Sequence, residues 1–335
     1  MSDSLDGMSG IVRSVTIKEA MTVDDQDRVY AQVAPSHRVA LKKYQETGTV
    51  LPFGSTQNRI TGPNLYLFNP TASSWAPPRE ANPLHGWDLK EVIKNGATSG
   101  AQPEDIYGCL YFSLTDQLRE FRRRIRDKFT ISFHVTSLPA GKLSTAITHH
   151  RPSMRFDRID VGRTLYHDKA GLKHTIQTWA PFLAPQKDVA ITGYCKMWVD
   201  SQPDGKAKGA GDESFRDAMK KVIANMKSDK PEDEVLAKMA DNESLFFSVC
   251  HNIEMGYDNS KAFTKYLASQ GLDEALSHTG LKLRDSRRIV PHRLGVPLEA
   301  SRSAIPHFEN EEAWYHATMM NSFSWSERIL ELGRE

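Results

Sequence analysis

The sequence predicts an α/β fold, a Rossmann-like parallel sheet covered by helices, followed by a mainly helical C-terminal part. Two pairs of patterns and a change of texture predict it. Tyr107, Leu110, Leu114, Leu118, Phe121 and Ile125 recur at steps of three or four, which is the apolar stripe of an amphipathic helix over about 104–127. Phe129, Ile131, Phe133 and Val135 then alternate, as in a half-buried strand. The same succession returns as a helical run from Leu172 to Leu183 and an apolar run from Val189 to Val199. Helix alternating with strand is the pattern of a parallel sheet with helices on its faces. Beyond 215 the texture is helical, with Phe215, Met219, Val222 and Met226 on one face, and Leu236, Met239, Leu245, Phe246 and Val249 on others. Trp314, Thr318 and Phe323 lie near a closing helix.

The remaining segments are read from composition. Residues 1–28 are polar and acidic, a tail with one strand-like run from Ile11 to Ile17. Residues 52–87 mix Pro, Asn and Gly with aromatic rings and read as ordered loop. Residues 200–214 are rich in Gly and charge and read as a flexible surface loop. A single catalytic-sized domain over 29–335 is expected, with 215–335 as its mainly helical part. Hydrophobic residues at 39% against 25% charged exclude a disordered chain. The formal net charge of +1 means that any nucleic-acid contact must come from a local patch. Cys109, Cys195 and Cys250 have no short spacing, which argues against a disulfide framework or a zinc site and suits a reducing, cytoplasmic compartment. No apolar run approaches the roughly 20 residues of a membrane span, and Met1–Ser14 lacks the plan of a signal peptide.

Familiar catalytic signatures are missing. The glycines around 205–211 follow no strand and precede no Gly-Lys-Ser/Thr, so they form no phosphate loop. There is no Gly-x-Ser-x-Gly, His-Glu-x-x-His or Cys-x-x-Cys. His251 and Glu254, and the loop-like pair His149 and His150, read better as ordinary surface or core residues than as metal ligands, and no metal or cofactor is expected.

One helix carries chemistry. Asp116 and Glu120 stand four apart, neighbours on a face nearly opposite the apolar stripe. Arg119, Arg122, Arg123, Arg124, Arg126 and Lys128 crowd the next turns, a cluster able to hold a phosphate backbone. The same residues would also suit a plain solvated helix, with Asp116 paired to Arg119 and Glu120 to Arg123 or Arg124. A second basic stretch, Lys282, Arg284, Arg287, Arg288 and Arg293, reads as solvated surface.

The blocks Asn82-Pro-Leu-His-Gly-Trp-Asp88, Asp105-Ile-Tyr-Gly-Cys-Leu-Tyr-Phe112, Asp116-Gln-Leu-Arg-Glu120 and Phe156-Asp-Arg-Ile-Asp160 resemble a group of fungal proteins. That group shares a domain of unknown function with MYND-finger proteins and dynein-arm assembly factors, and it contains the fungal arginine-containing cyclodipeptide synthases. The resemblance runs from about Val29 to the C-terminus. The synthases' Asp-x-x-x-Glu motif maps onto Asp116 and Glu120, and a MYND-type Cys/His cluster is lacking. The resemblance implies a synthase that consumes arginyl-tRNA and a second aminoacyl-tRNA and releases a cyclic Arg-Xaa dipeptide. An aminoacyl ester is already activated, in keeping with the missing ATP signature. Asp116 and Glu120 would then take a proton from the attacking amine or grip the arginine guanidinium, and the six basic residues would hold tRNA; neither DNA nor membrane is an expected partner. Ser113 and Ser132 are the weak candidates for an acyl-enzyme. The runner-up is a non-catalytic assembly or scaffold protein that uses the same helix to bind a partner. A methyltransferase lacks the glycine-rich turn it would need.

Overall fold

Helix caps and glycine turns divide the chain into short elements. A computed structural model describes residues 33–55, 68–69, 74–75, 82–138, 140–162, 171–225, 243–319 and 324–334. The expected N-terminal tail, most of the aromatic loop, and Met226, Leu236, Met239 and Phe323 lie outside the described residues. In chain order the elements are α1 (Pro35–Thr47), a two-stranded antiparallel pair β1 (Phe68–Asn69) and β2 (Ser74–Trp75), α2 (Leu89–Thr98), α3 (Ile106–Asp127), α4 (Ala140–His150) and β3 (Arg158–Asp160). There follow α5 (Gly171–Trp179), β4 (Ala190–Cys195), α6 (Asp212–Asn225), α7 (Glu243–His251), α8 (Ser260–Ser269), α9 (Leu272–Thr279), β5 (Lys282–Leu283), α10 (Glu311–Met319) and β6 (Arg328–Gly333). Among the described residues no helix is long and apolar enough to cross a membrane.

Where the sequence suggests one domain from 29 onwards, the described residues fall into two compact units interleaved along the chain. The first draws on 33–133, 243–250 and 309–319, and the second on 134–225, 251–308 and 324–334.

The first unit is helical. Asp88 caps α2, its carboxylate accepting from the N–H groups of Lys90 and Glu91, and Asp105 caps α3 by accepting from Gly108 N–H. The two helices pack through Val92, Cys109 and Leu110, with Leu84 and Leu89 filling the same core. A Cβ built on Gly96 would lie 2.5 Å from the Cys109 Cα, so only glycine permits this approach. His37 on α1 donates from Nε2 to the Pro103 carbonyl and accepts from the Tyr315 hydroxyl of α10.

The second unit holds a mixed sheet in the order β3-β4-β6-β5. β3 and β4 run parallel, joined by α5, so one βαβ crossover exists. β6 enters antiparallel against β4 over six residue pairs, from Ala190↔Gly333 to Cys195↔Arg328, and β5 is antiparallel to β6. The extended parallel layer that the pattern predicts is therefore replaced by a small mixed sheet, for two reasons. The segment 129–135 is not a strand: Phe129, Phe133 and Val135 are 59%, 74% and 96% exposed, and no described strand pairs with it. A central strand, β6, arises instead in the stretch expected to be helical. Its run Ile329-Leu330-Glu331-Leu332 is a short apolar segment that periodicity cannot assign. Over the sheet lie Ile159, Ile176, Ile191, Leu330 and Leu332, with Trp198 fully buried against Phe263 and Tyr266 of α8. Residues 200–214 fold as a 3-10 turn, a bend and the start of α6, with Ala207 buried and its N–H donated to the Glu254 carboxylate.

Candidate functional site

α3 has 22 residues and is two helices in one. Its first half is core. Ile106, Tyr107, Cys109 and Leu110 are buried, Ser113 is buried where Asn95 donates to its hydroxyl, and Tyr107 donates its hydroxyl proton to Asn82. The sequence blocks around Asn82–Asp88 and Asp105–Phe112 thus each cap their own helix and are joined by the Tyr107–Asn82 bond. After Leu114 the stripe leaves the core, with Leu118 65% and Phe121 49% exposed. The later turns are exposed and carry charges paired in register.

Those pairs are the ones the spacing predicts. Arg119 Nη1 donates to Asp116 Oδ1 at 3.3 Å. Arg123 grips Glu120 with a two-pronged fork, Nε to Oε2 and Nη2 to Oε1, both at 2.7 Å, and Arg124 Nε donates to Oε1 at 2.8 Å. The donated bonds, from Arg123 first and then Arg124, hold the Glu120 carboxyl down at about 2. Arg126 binds its neighbour Asp127. Arg122 and Lys128 are exposed and make no ion pair among the described residues. Asp116 and Glu120 share one face, but that face does not line a pocket, as a catalytic pair would be expected to: their side chains are 55% and 40% exposed, and neither lines the pocket beside Phe53 or the one at the start of α8. Six basic against three acidic side chains over 116–128 leave the helix end locally positive.

The other candidates resolve differently. His149 and His150 end α4 instead of lying in a loop, their rings 4.7 Å apart and exposed. Glu254 is engaged by the Ala207 N–H, and burial raises its pKa. Ser132 is exposed. The second basic stretch is not uniformly solvated. Arg287 and Arg293 are 4% and 0% exposed; the backbone carbonyl of Glu331 receives Arg287, and those of Trp325 and Tyr257 receive Arg293. The available signal was Arg328, a charge inside an apolar strand-like run.

No family model matches the chain, and neither a curated protein nor a solved structure matches it.

Proposed function

We propose that this protein makes a cyclic Arg-Xaa dipeptide from arginyl-tRNA and a second aminoacyl-tRNA, as an arginine-containing cyclodipeptide synthase in a cytoplasmic setting. The reading rests on Asp116 and Glu120, neighbours on one helix face next to a net-positive run of arginines, in the block order of the resembling family; it requires that face to line a pocket, and the open face weighs toward the scaffold reading. The βαβ unit of β3, α5 and β4 is taken as the Rossmann-like part of the fold.

The chemistry needs no ATP site. The α-amine of one aminoacyl-tRNA attacks the ester carbonyl of the other, and the tRNA 3′ oxygen leaves with a proton. A second attack by the remaining amine on the remaining ester closes the ring. Of the two roles open to the carboxylates, gripping a guanidinium suits Glu120. A carboxyl held at about 2 is a poor proton acceptor near neutrality, and it already binds a guanidinium through two parallel bonds. A substrate arginine would take the place of Arg123, which is then free for tRNA phosphate. Asp116, held by one longer contact to Arg119, is the freer group to face the amine.

The test is product formation in a mixture of tRNA, synthetases, ATP and both amino acids, read by mass spectrometry. Asp116→Asn and Glu120→Gln should each abolish product and keep the fold, since each swap keeps size and removes charge. Product that survives complete tRNA digestion, or full activity in both variants, overturns the proposal. A scaffold role is the second reading. It is favoured by the exposed Leu118, Phe121, Phe129 and Phe133 in the same region, and it predicts no product from the wild-type chain.

A further inference from the structure

We propose that the pocket between the start of α8, the 284–302 segment and the start of β6 binds a phosphate group. The site lies in the second unit and does not depend on the reading of α3. The pocket is a shallow one open to solvent, and Ser260, Thr264, Arg287, His292, Arg302 and Arg328 supply its polar lining.

The polar lining is rich in unspent donors. Arg328, 2% exposed, donates from Nε to Asn259 Oδ1 at 2.7 Å and from Nη1 to the Arg302 carbonyl at 2.9 Å. Its Nη1 also lies 2.7 Å from His292 Nδ1. A guanidinium has no acceptor, so His292 Nδ1 must accept, and the ring is neutral with its hydrogen on Nε2. This tautomer is assigned from the hydrogen-bond network. Three buried guanidinium nitrogens then have no hydrogen-bond partner: Arg287 Nε, Arg302 Nε and Arg328 Nη2, while His292 Nε2 faces the Ser301 backbone. All three are donors on cations.

The surrounding carboxylates do not meet this demand. Glu331 is occupied by Arg284 and by the N–H groups of Arg288, Ile289 and Val290. Asp285 pairs with Arg302 on the solvent side. Asp258 stands 3.9 Å from Arg328 Nη2, beyond hydrogen-bond distance. Arg293, fully buried beside this group, is taken up by the carbonyls of Trp325, Tyr257 and Glu254. Burial pushes Arg287 and Arg328 down, each to about 10, against the pull of Glu331 on Arg287 and of Asp258 on Arg328, with a smaller push from neighbouring guanidinium groups. Burial followed by Arg328, Arg287 and Arg293 pushes His292 down to about 4, against a smaller opposing pull from the Ser301 backbone.

A planar carboxylate, with two oxygens, is satisfied by one guanidinium fork. Three separate guanidinium groups outnumber those oxygens and suit a tetrahedral phosphate. The N-terminus of α8 adds no free donor, because the Ser260 N–H is donated to Asp258 Oδ1 at 2.9 Å. Arg302, with a 40% exposed side chain, is the movable wall through which the group would enter.

The alternative is that these arginines only staple loops together. The test uses the full chain, with thermal shift and calorimetry at constant ionic strength made up with chloride. Inorganic phosphate and a nucleoside 5′-monophosphate are compared with succinate. Saturable binding and stabilisation by the phosphates but not by succinate is expected. Tighter binding of the monoester would identify an organic phosphate as the source, and equal binding would identify free phosphate. Arg302→Gln should weaken the binding at least tenfold, and Lys220→Gln on the exposed face of α6 should leave it unchanged. No saturable phosphate effect in the wild-type chain overturns the proposal whether or not the variant folds. An equal response to succinate, or equal loss in the Lys220 variant, overturns it as well.

Discussion

Glu331→Gln should destabilise the second unit by about 3 kcal/mol, the lower end of the cost of breaking a buried ion pair. The carboxylate is fully buried on β6. It accepts from Arg284 Nη1 at 2.9 Å and from the N–H groups of Arg288, Ile289 and Val290 at 3.2, 3.0 and 3.4 Å. An amide of the same size keeps one acceptor oxygen and turns an NH2 toward the remaining donors. The cost stays at the lower end because Arg284 retains the carbonyls of Lys187 and Val189. For a unit of this size about 2–4 °C accompanies each kcal/mol, so the midpoint should fall by ~6–12 °C. Burial alone would raise the Glu331 pKa, but Arg284 and the three N–H groups outweigh it and leave the carboxyl below its ordinary 4.5. Its contribution is therefore fully present above about pH 4.5 and is lost as the pH falls through the lower folded value. Thermal and urea unfolding of both proteins, at pH 7 and at pH 4, measure this. The difference between them should shrink at the lower pH. A variant within about 0.5 kcal/mol of the wild type at pH 7, the usual spread of surface substitutions, would refute Glu331 as the anchor of the 284–290 segment.

Two further outcomes follow from the first unit. Gly96→Ala should cost ~1–3 kcal/mol by overpacking, because its methyl would meet Cys109 backbone and side chain at 2.5–2.6 Å; denaturant unfolding reads it, and an unchanged midpoint means that α2 and α3 separate at no cost. Reversing Arg122, Arg123 and Arg124 to Glu should weaken tRNA binding and flatten the plot of log affinity against log salt by about 0.7–0.9 for each phosphate that is no longer neutralised; an unchanged slope in a folded variant returns the cluster to solvent.

Much of α3 was legible. Its span, its cap-side core and the pairing of Asp116 with Arg119 and of Glu120 with Arg123 and Arg124 all follow from steps of three and four. Periodicity could not tell where the apolar stripe stops being covered. Leu118 and Phe121 continue the pattern of Leu110 and Leu114 but stand in solvent, since coverage depends on what packs alongside. The alternation of Phe129, Ile131 and Phe133 likewise describes a strand only when a partner strand is present. The second unit was least legible. Arg287, His292 and Arg328 meet because β5 and the segment after it lie against β6, and a window of the sequence sees each as an isolated charge. The solvated reading of the 282–293 stretch is reversed for Arg287 and Arg293, while Lys282 and Arg288 stay exposed.

The placement of β6 bears on how the second unit assembles. It is an inner strand of the sheet, yet its partner β4 lies over a hundred residues earlier. Closing a loop of roughly 140 residues costs about 4 kcal/mol of chain entropy before the first of those six pairs forms. Contacts between near neighbours in sequence, such as α8 with α9, carry no such penalty and can form first. Until β6 arrives, β4 presents an open apolar edge beside β3, a surface on which a second unfinished chain could add its own strand. The step that completes the sheet is thus also the step that removes its exposure to misassembly, and its speed sets how long that edge stays open.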